Sequence, residues 1–238
     1  NHRIQKFTPQ GFFEAKFGTQ GTSDGELNLP RGISIDGQGN IYVADTGNKR
    51  VQKFDANGVF QRKWENWGPN NQPFMRPVSV AIDSNGGFYV SDQSTSKISR
   101  FDASGSFQIS FGSYGSSDGQ FMTPMGIAVD PSDNVYVADV YNSRIQKFDS
   151  SGNFLLKWGR QGFGDGEFTH PWRVAVDGTS GNVYVSDGNS RIQKFDPSGK
   201  FKAKWSRFGS GRFARPYGVG VTSSGTRPVW VTDFHNRL

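Results

Sequence analysis

Asp139–Asp149 reads D-V-Y-N-S-R-I-Q-K-F-D, and close copies of it recur: D-T-G-N-K-R-V-Q-K-F-D from Asp45, Q-S-T-S-K-I-S-R-F-D from Gln93 and D-G-N-S-R-I-Q-K-F-D from Asp187. Partial copies open the chain (N-H-R-I-Q-K-F from Asn1) and close it (D-F-H-N-R-L from Asp233). The basic residue of the copy falls at Arg3, Arg50, Lys97, Arg144 and Arg191, always 47 residues apart. A fixed period of this size is the mark of a repeat architecture, each repeat being one supersecondary unit that buries its core only against its neighbours.

One repeat, taken from Pro124, contains M-G-I-A-V-D, the turn P-S-D-N, V-Y-V-A-D, the loop V-Y-N-S, R-I-Q-K-F-D, the turn S-S-G and N-F-L-L-K-W-G. Short runs rich in Val, Ile, Phe and Tyr between Gly, Asn, Asp and Pro read as strands with tight connections. No helical spacing competes with that reading. A strand quartet repeated at this period predicts an all-β fold, a β-propeller of four-stranded antiparallel blades. Five blades are expected: residues 30–64, 77–111, 124–158, 171–205, and a split blade made of 216–238 and 1–17. Joining strands from both ends would close the ring and leave no open edge.

The segments P-x-G-I-A-V-D, N-V-Y-V-A-D, N-S-R-I-Q-K-F-D and G-N-F resemble the NHL repeat, and the resemblance runs over nearly the whole chain as a single domain. NHL propellers more often have six blades than five. The resemblance implies an interaction module, found in cytoplasmic tripartite-motif regulators and in prokaryotic surface proteins. The absence of cysteine leans toward the surface setting.

Composition narrows the field. Apolar residues make up 34% of the chain and mean hydropathy is −0.61, a thin supply for a core that 21 Phe and 31 Gly make up for. No apolar run is long enough to span a bilayer as a helix. Without cysteine there is no disulfide, no thiolate ligand and no cysteine nucleophile. A net charge of +6 and a pI near 9.5 keep polyanions among the candidate partners.

The repeat serves as an internal control, since what recurs in every blade builds the blade. Of the 34 aromatic residues (6 Trp, 7 Tyr, 21 Phe), 24 fall in recurring columns such as Phe7/Phe54/Phe101/Phe148/Phe195 and Tyr42/Tyr89/Tyr136/Tyr184/Trp230. These are assigned to packing between blades. Ten stand outside the columns, and eight of them map to one face. That face is formed by the blade-to-blade loops and the loops between second and third strands. Its loops carry nine basic residues against six acidic, whereas the opposite face carries two against nine. Asp in D-x-x-G turns accounts for the acidic face, because its carboxylate bonds its own backbone. The pairs Asp45/Arg50 and Asp139/Arg144 read as structural ion pairs bracing the loops between them.

Chemistry finds little support. There is no nucleophile elbow, no Gly-rich phosphate loop and no pair of carboxylates outside the repeat background. Similar propellers among the peptide-amidating lyases hold zinc with His directly after the blade-opening Pro; here those positions are Arg31, Val78, Met125, Trp172 and Tyr217. His2, His170 and His235 map to the binding face and are the weak candidates for a metal. No cofactor is expected, and the chain reads as non-catalytic and monomeric as a closed ring.

A protein or peptide is the expected partner, because Arg, Met, Trp and Tyr around a channel mouth suit an interface core. The expected contact residues are Arg31, Trp67, Arg76, Tyr114, Met125, Tyr141, Trp172, Arg173, Arg207, Phe208, Arg212, Arg215, Tyr217 and Phe234. The alternative is single-stranded RNA, which tripartite-motif repressors with similar propellers bind on this face by stacking bases beside basic residues. Trp172 with Arg173, Tyr217 near Arg215, and Phe208 between Arg207 and Arg212 would supply that chemistry. Carbohydrate on exposed Trp and Tyr, and a zinc-dependent lyase, are lesser readings.

Overall fold

The structure, a computed structural model, describes residues 1–68, 70–208, 211–221 and 229–233, without the side chains of Arg207, Phe208 and Gly211. Each full repeat folds as a four-stranded antiparallel meander. The first blade runs through Gly32–Ile35, Ile41–Asp45, Arg50–Phe54 and Phe60–Trp64. The third runs through Pro124–Val129, Val135–Asp139, Arg144–Phe148 and Phe154–Trp158. The second (77–111) and fourth (171–205) repeat the pattern. Among the described residues no helix is long and apolar enough to cross a membrane.

Alternation along the second and third strands sends one apolar set toward each neighbouring blade, so the core is a series of seams. One seam gathers Tyr136, Ala138 and Ile145 from the third blade with Val174, Val183, Val185 and Phe195 from the fourth, and Phe168 from the loop between them. The column phenylalanines Phe54, Phe101, Phe148 and Phe195 are almost wholly buried, as their recurrence predicts, whereas Phe7 of the same column, in the amino-terminal half-blade, is 52% exposed. Two glycines set the seam distance. Gly105, at φ +78°, lies under the Trp64 ring of the preceding blade and gives its carbonyl to Trp64 Nε1 at 2.8 Å. Gly126 lets the third blade's inner strand approach the fourth, since a Cβ there would sit 2.6 Å from Arg173 Cα and 2.9 Å from the Trp172 carbonyl. Gly126→Ala should therefore destabilise by roughly 1–3 kcal/mol, as overpacking against backbone does, and chemical denaturation against wild type would measure it.

The two chain ends occupy half-blade positions. Ile4–Phe7 pairs with Phe13–Phe17, and Phe17 sits on Gly58 of the first blade as Trp64 sits on Gly105 of the second. Pro216–Val221 pairs with Val229–Asp233, and Ser186 Oγ reaches the Tyr217 carbonyl at 2.8 Å just as Ser91 Oγ reaches Met125 at 2.7 Å. The expected joined blade is not formed among the described residues: these are two separate two-stranded sheets. Among the described residues each half packs on its own neighbour and no strand ladder joins one half to the other. Ile33 and Ile35 of the first blade are consequently 50% and 61% exposed, whereas the equivalents of Ile33 (Val80, Ile127 and Val174) are buried.

Candidate functional site

The blade-to-blade loops are braced by the repeated segment of which Asp139–Asp149 is one copy. Arg144 Nε donates to Asp139 Oδ2 at 2.8 Å, while its Nη2 donates to the carbonyls of Ser117 and Gln120, both at 2.8 Å. Asn142 Nδ2 donates to the Gly115 carbonyl at 2.9 Å, and Gln146 Nε2 to Gln120 at 2.7 Å. One short strand-loop-strand segment thus gathers the carbonyls of the whole preceding blade-to-blade loop. Asp45 and Arg50 do the same for the loop before the first blade, and Asp187 and Arg191 for the loop before the fourth. These contacts also place the two kinds of loop on one face, as expected. On the opposite face the turn aspartates accept their own backbone N–H groups, for example Asp130 from Ser132 and Asn134.

On this braced frame four rings make one line across blade borders. Tyr141 meets His170 edge-on at 5.8 Å, His170 stacks on Trp172 at 5.5 Å and 14°, and Trp172 leans on Tyr217 at 5.8 Å. Arg215 lies 6.0 Å from the centre of the Trp172 ring and Arg173 lies 5.1 Å from that of Tyr217. His170 and Trp172 come from the fourth blade, Tyr141 from the third, and Tyr217 and Arg215 from the carboxy-terminal half-blade. The line ends at a cavity of about 520 Å³ bounded by Asn1, His2, Arg3, Leu29, Pro30, Arg31, Arg215 and Tyr217.

A second cavity, of about 460 Å³, lies on the axis and is lined by the innermost strands of all four blades and of the carboxy-terminal half. Arg31 and Tyr217 line both cavities. Arg173 points into the axial one and is 9% exposed, with Nη2 donating to the Val78 carbonyl at 3.1 Å. Burial pushes its pKa below the ordinary arginine value; Tyr217 opposes that shift and Arg31 adds to it.

Several expected contact residues lie elsewhere. Trp67 is buried against Phe107 in the seam between the first and second blades, and Met125 is 3% exposed, so neither is available to a surface ligand. Trp67 left the recurring columns because its loop is a small hairpin (Asn66–Trp67 with Gln72–Pro73) that folds its ring inward. Arg173 is an axial residue, not a surface cation beside Trp172. Tyr114 is 72% exposed and has no ring partner among the described residues. Arg76 is exposed beside the second blade, with its backbone N–H on Asp92. Arg212 is exposed; the side chains of Arg207 and Phe208, and all of Phe234, lie outside what is described. His2 Nδ1 accepts the Leu29 N–H at 3.2 Å and His170 is held in the ring line, while His235 lies outside the described residues. Among the described residues no group of three His, Cys, Asp or Glu gathers as a metal site.

Sequence reasoning placed Arg173 but missed its role, although the signal was present. The second position after each blade-opening proline reads Gly32, Ser79, Gly126, Arg173 and Gly218. Four small residues leave the axis open for one long side chain.

The sequence profile of the NHL repeat matches residues 27–54, 121–148 and 168–195. These are the three repeats that carry the Asp–Arg brace. No curated protein matches the sequence. Among solved structures the chain is similar to the selenomethionine form of virginiamycin B lyase from Staphylococcus aureus, at 15% identity and a TM-score of 0.66, over 98% of this chain and 70% of that one. A chain of the nidogen/laminin complex matches at 16% identity and a TM-score of 0.66, over 90% of this chain and 75% of that one. Hydrazine synthase of Kuenenia stuttgartiensis matches at 15% identity and a TM-score of 0.59, over 84% of this chain and 54% of that one. At these identities the likeness is one of fold.

Proposed function

We propose that this chain, a β-propeller built of NHL repeats, is a non-catalytic interaction module that binds a protein or peptide through the face carrying Tyr141, His170, Trp172 and Tyr217. The observation that carries the reading is the unbroken ring line beside an open cavity. Rings held by neighbours present large contact area with little rotamer entropy left to lose, the property that makes Tyr and Trp interface anchors. The nidogen/laminin match is a protein of this fold from a protein complex, and it supports the reading by analogy of fold alone. The lyase match, at 15% identity, is a likeness of fold and by itself carries no catalytic assignment to this chain.

RNA on the same face is the second reading, favoured by the Arg215–Trp172 contact. Two features weigh against it. One face of Trp172 is already covered by His170, which leaves less ring for a base to stack on. A nucleic-acid track also needs a row of phosphate contacts, and the exposed cations at the cavity, Arg3, Arg31 and Arg215, gather round its rim and do not extend along the ring line. The test is a binding screen of the whole chain against a displayed peptide library and 12-nucleotide RNA pools in 50 and 200 mM salt. The expected result is peptide binding that changes little with salt. RNA binding that falls by about twentyfold or more between the two salts, the loss expected of about three phosphate contacts on a single strand, would replace this reading with the second.

A further inference from the structure

We propose that the axial cavity receives a carboxylate of the bound peptide, an Asp or Glu side chain or a free C-terminus, on the guanidinium of Arg173. The inference rests on the peptide-binding reading and adds the chemistry of the ligand.

Among the described residues Arg173 is a buried cation with no carboxylate beside it. The other deeply buried arginines each have a carboxylate: Asp45 for Arg50, Asp139 for Arg144 and Asp187 for Arg191, at 2.8–2.9 Å. Among the described residues Arg173 has none, and the charge that faces it is that of Arg31. Its Nη1 is buried without a hydrogen-bond partner. An isolated buried charge is strongly disfavoured, and an unsatisfied donor adds its own desolvation cost. Folding keeps this arrangement even though Gly, Ser or Gly fills the same position in the first three blades.

The surroundings specify the missing group. No Asp or Glu lines the cavity, whose walls are mainly Val, Ile, Ala and Gly, with Arg31 and Arg173 as the cations. The one open nitrogen, Nη1, calls for one acceptor oxygen, and the single charge of the guanidinium is balanced by the single charge of a carboxylate. A phosphate brings more charge and more acceptor oxygens than these walls can satisfy. Trp172 Nε1 is a second buried donor without a partner, and its ring, like the Arg173 guanidinium, rests against Tyr217. Tyr217 and Arg31 line both cavities, so a peptide lying along the rings can send one side chain or its end into the channel between them.

The test uses the whole chain, wild type and Arg173→Met, in two arms. In the first, thermal unfolding is followed at constant ionic strength in chloride, acetate or inorganic phosphate. Acetate should raise the wild-type Tm as any ligand of the folded state does and leave the variant unmoved. In chloride, Arg173→Met should unfold no lower than wild type, since it removes an unbalanced charge. A variant that unfolds several degrees lower in chloride, with no anion response in wild type, would make Arg173 a structural brace and end the proposal. A response to phosphate and not to acetate would overturn it in favour of a phosphate-bearing partner. In the second arm, library-selected peptides are compared as free acid and C-terminal amide, and with Asp or Glu against Asn or Gln. One of these swaps should weaken wild-type binding by tenfold or more and leave the variant's binding unchanged, and which swap does so identifies the source of the carboxylate. Peptides that need Trp172 but tolerate every swap would sink the carboxylate and leave the peptide-binding face standing. An acetate response with no peptide bound would do the reverse.

Discussion

Asp139→Ala is expected to lower the stability of the folded chain by about 3–5 kcal/mol, the usual effect of removing one partner of a buried ion pair. The loss has two parts. The Asp139 side chain is fully buried and accepts from the Met122 N–H, Asn142 Nδ2, Arg144 Nε and Gln146 Nε2. Those donors lose their acceptor, and Arg144 is left charged and nearly buried. For a domain held by roughly 5–15 kcal/mol this is about a fifth of the total or more. The second blade supplies the control. Asp92 has the backbone N–H groups of Met75, Arg76, Ser94 and Thr95 but no arginine, since Lys97 stands in its place. Asp92→Ala strands no guanidinium and should cost less, about 1–3 kcal/mol. Urea midpoints of the two variants measure the difference, and equal losses would show that the arginine adds nothing to the brace.

The second large effect is on binding. Trp172→Ala and Tyr217→Ala should each weaken a selected peptide by about 30-fold, the 2 kcal/mol expected of a central anchor. Trp172 is the pivot, because it touches His170, Tyr217 and Arg215 together. The two losses should not add, since either truncation loosens the same line of rings. Arg76→Ala, beside the second blade, should leave the affinity within about twofold. Fluorescence polarisation gives the affinities, and circular dichroism spectra matching wild type would confirm that the blades are intact. Full-strength binding by the Trp172/Tyr217 double variant would move the site off this face.

The blades were legible in the sequence because their causes are local and repeated: alternation, turn aspartates and a 47-residue period. The Asp–Arg brace was legible for the same reason. Burial of single residues was not. Trp67 and Tyr114 look alike in sequence as rings outside the recurring columns, yet one folds inward and the other stands in solvent, a difference set by the shape of each loop. The split blade shows a related limit. Periodicity says which strands belong to a repeat, but whether Val229–Asp233 and Ile4–Phe7 share a ladder depends on how the packing of each blade on the next adds up around the ring. Arg173 was visible as a residue and obscure as a function, because its meaning comes from what the other blades lack at the same place.

The brace has one more consequence. Each Asp–Asn–Arg–Gln set grips main-chain carbonyls of the loop just upstream, 24–28 residues away, so the loop is held by these bonds and by its inward-facing side chains, not by its outward-facing ones. Outward-facing residues at positions such as 20, 114 or 161 can therefore be exchanged while the scaffold keeps its shape, so the specificity of the face can be rewritten one loop at a time.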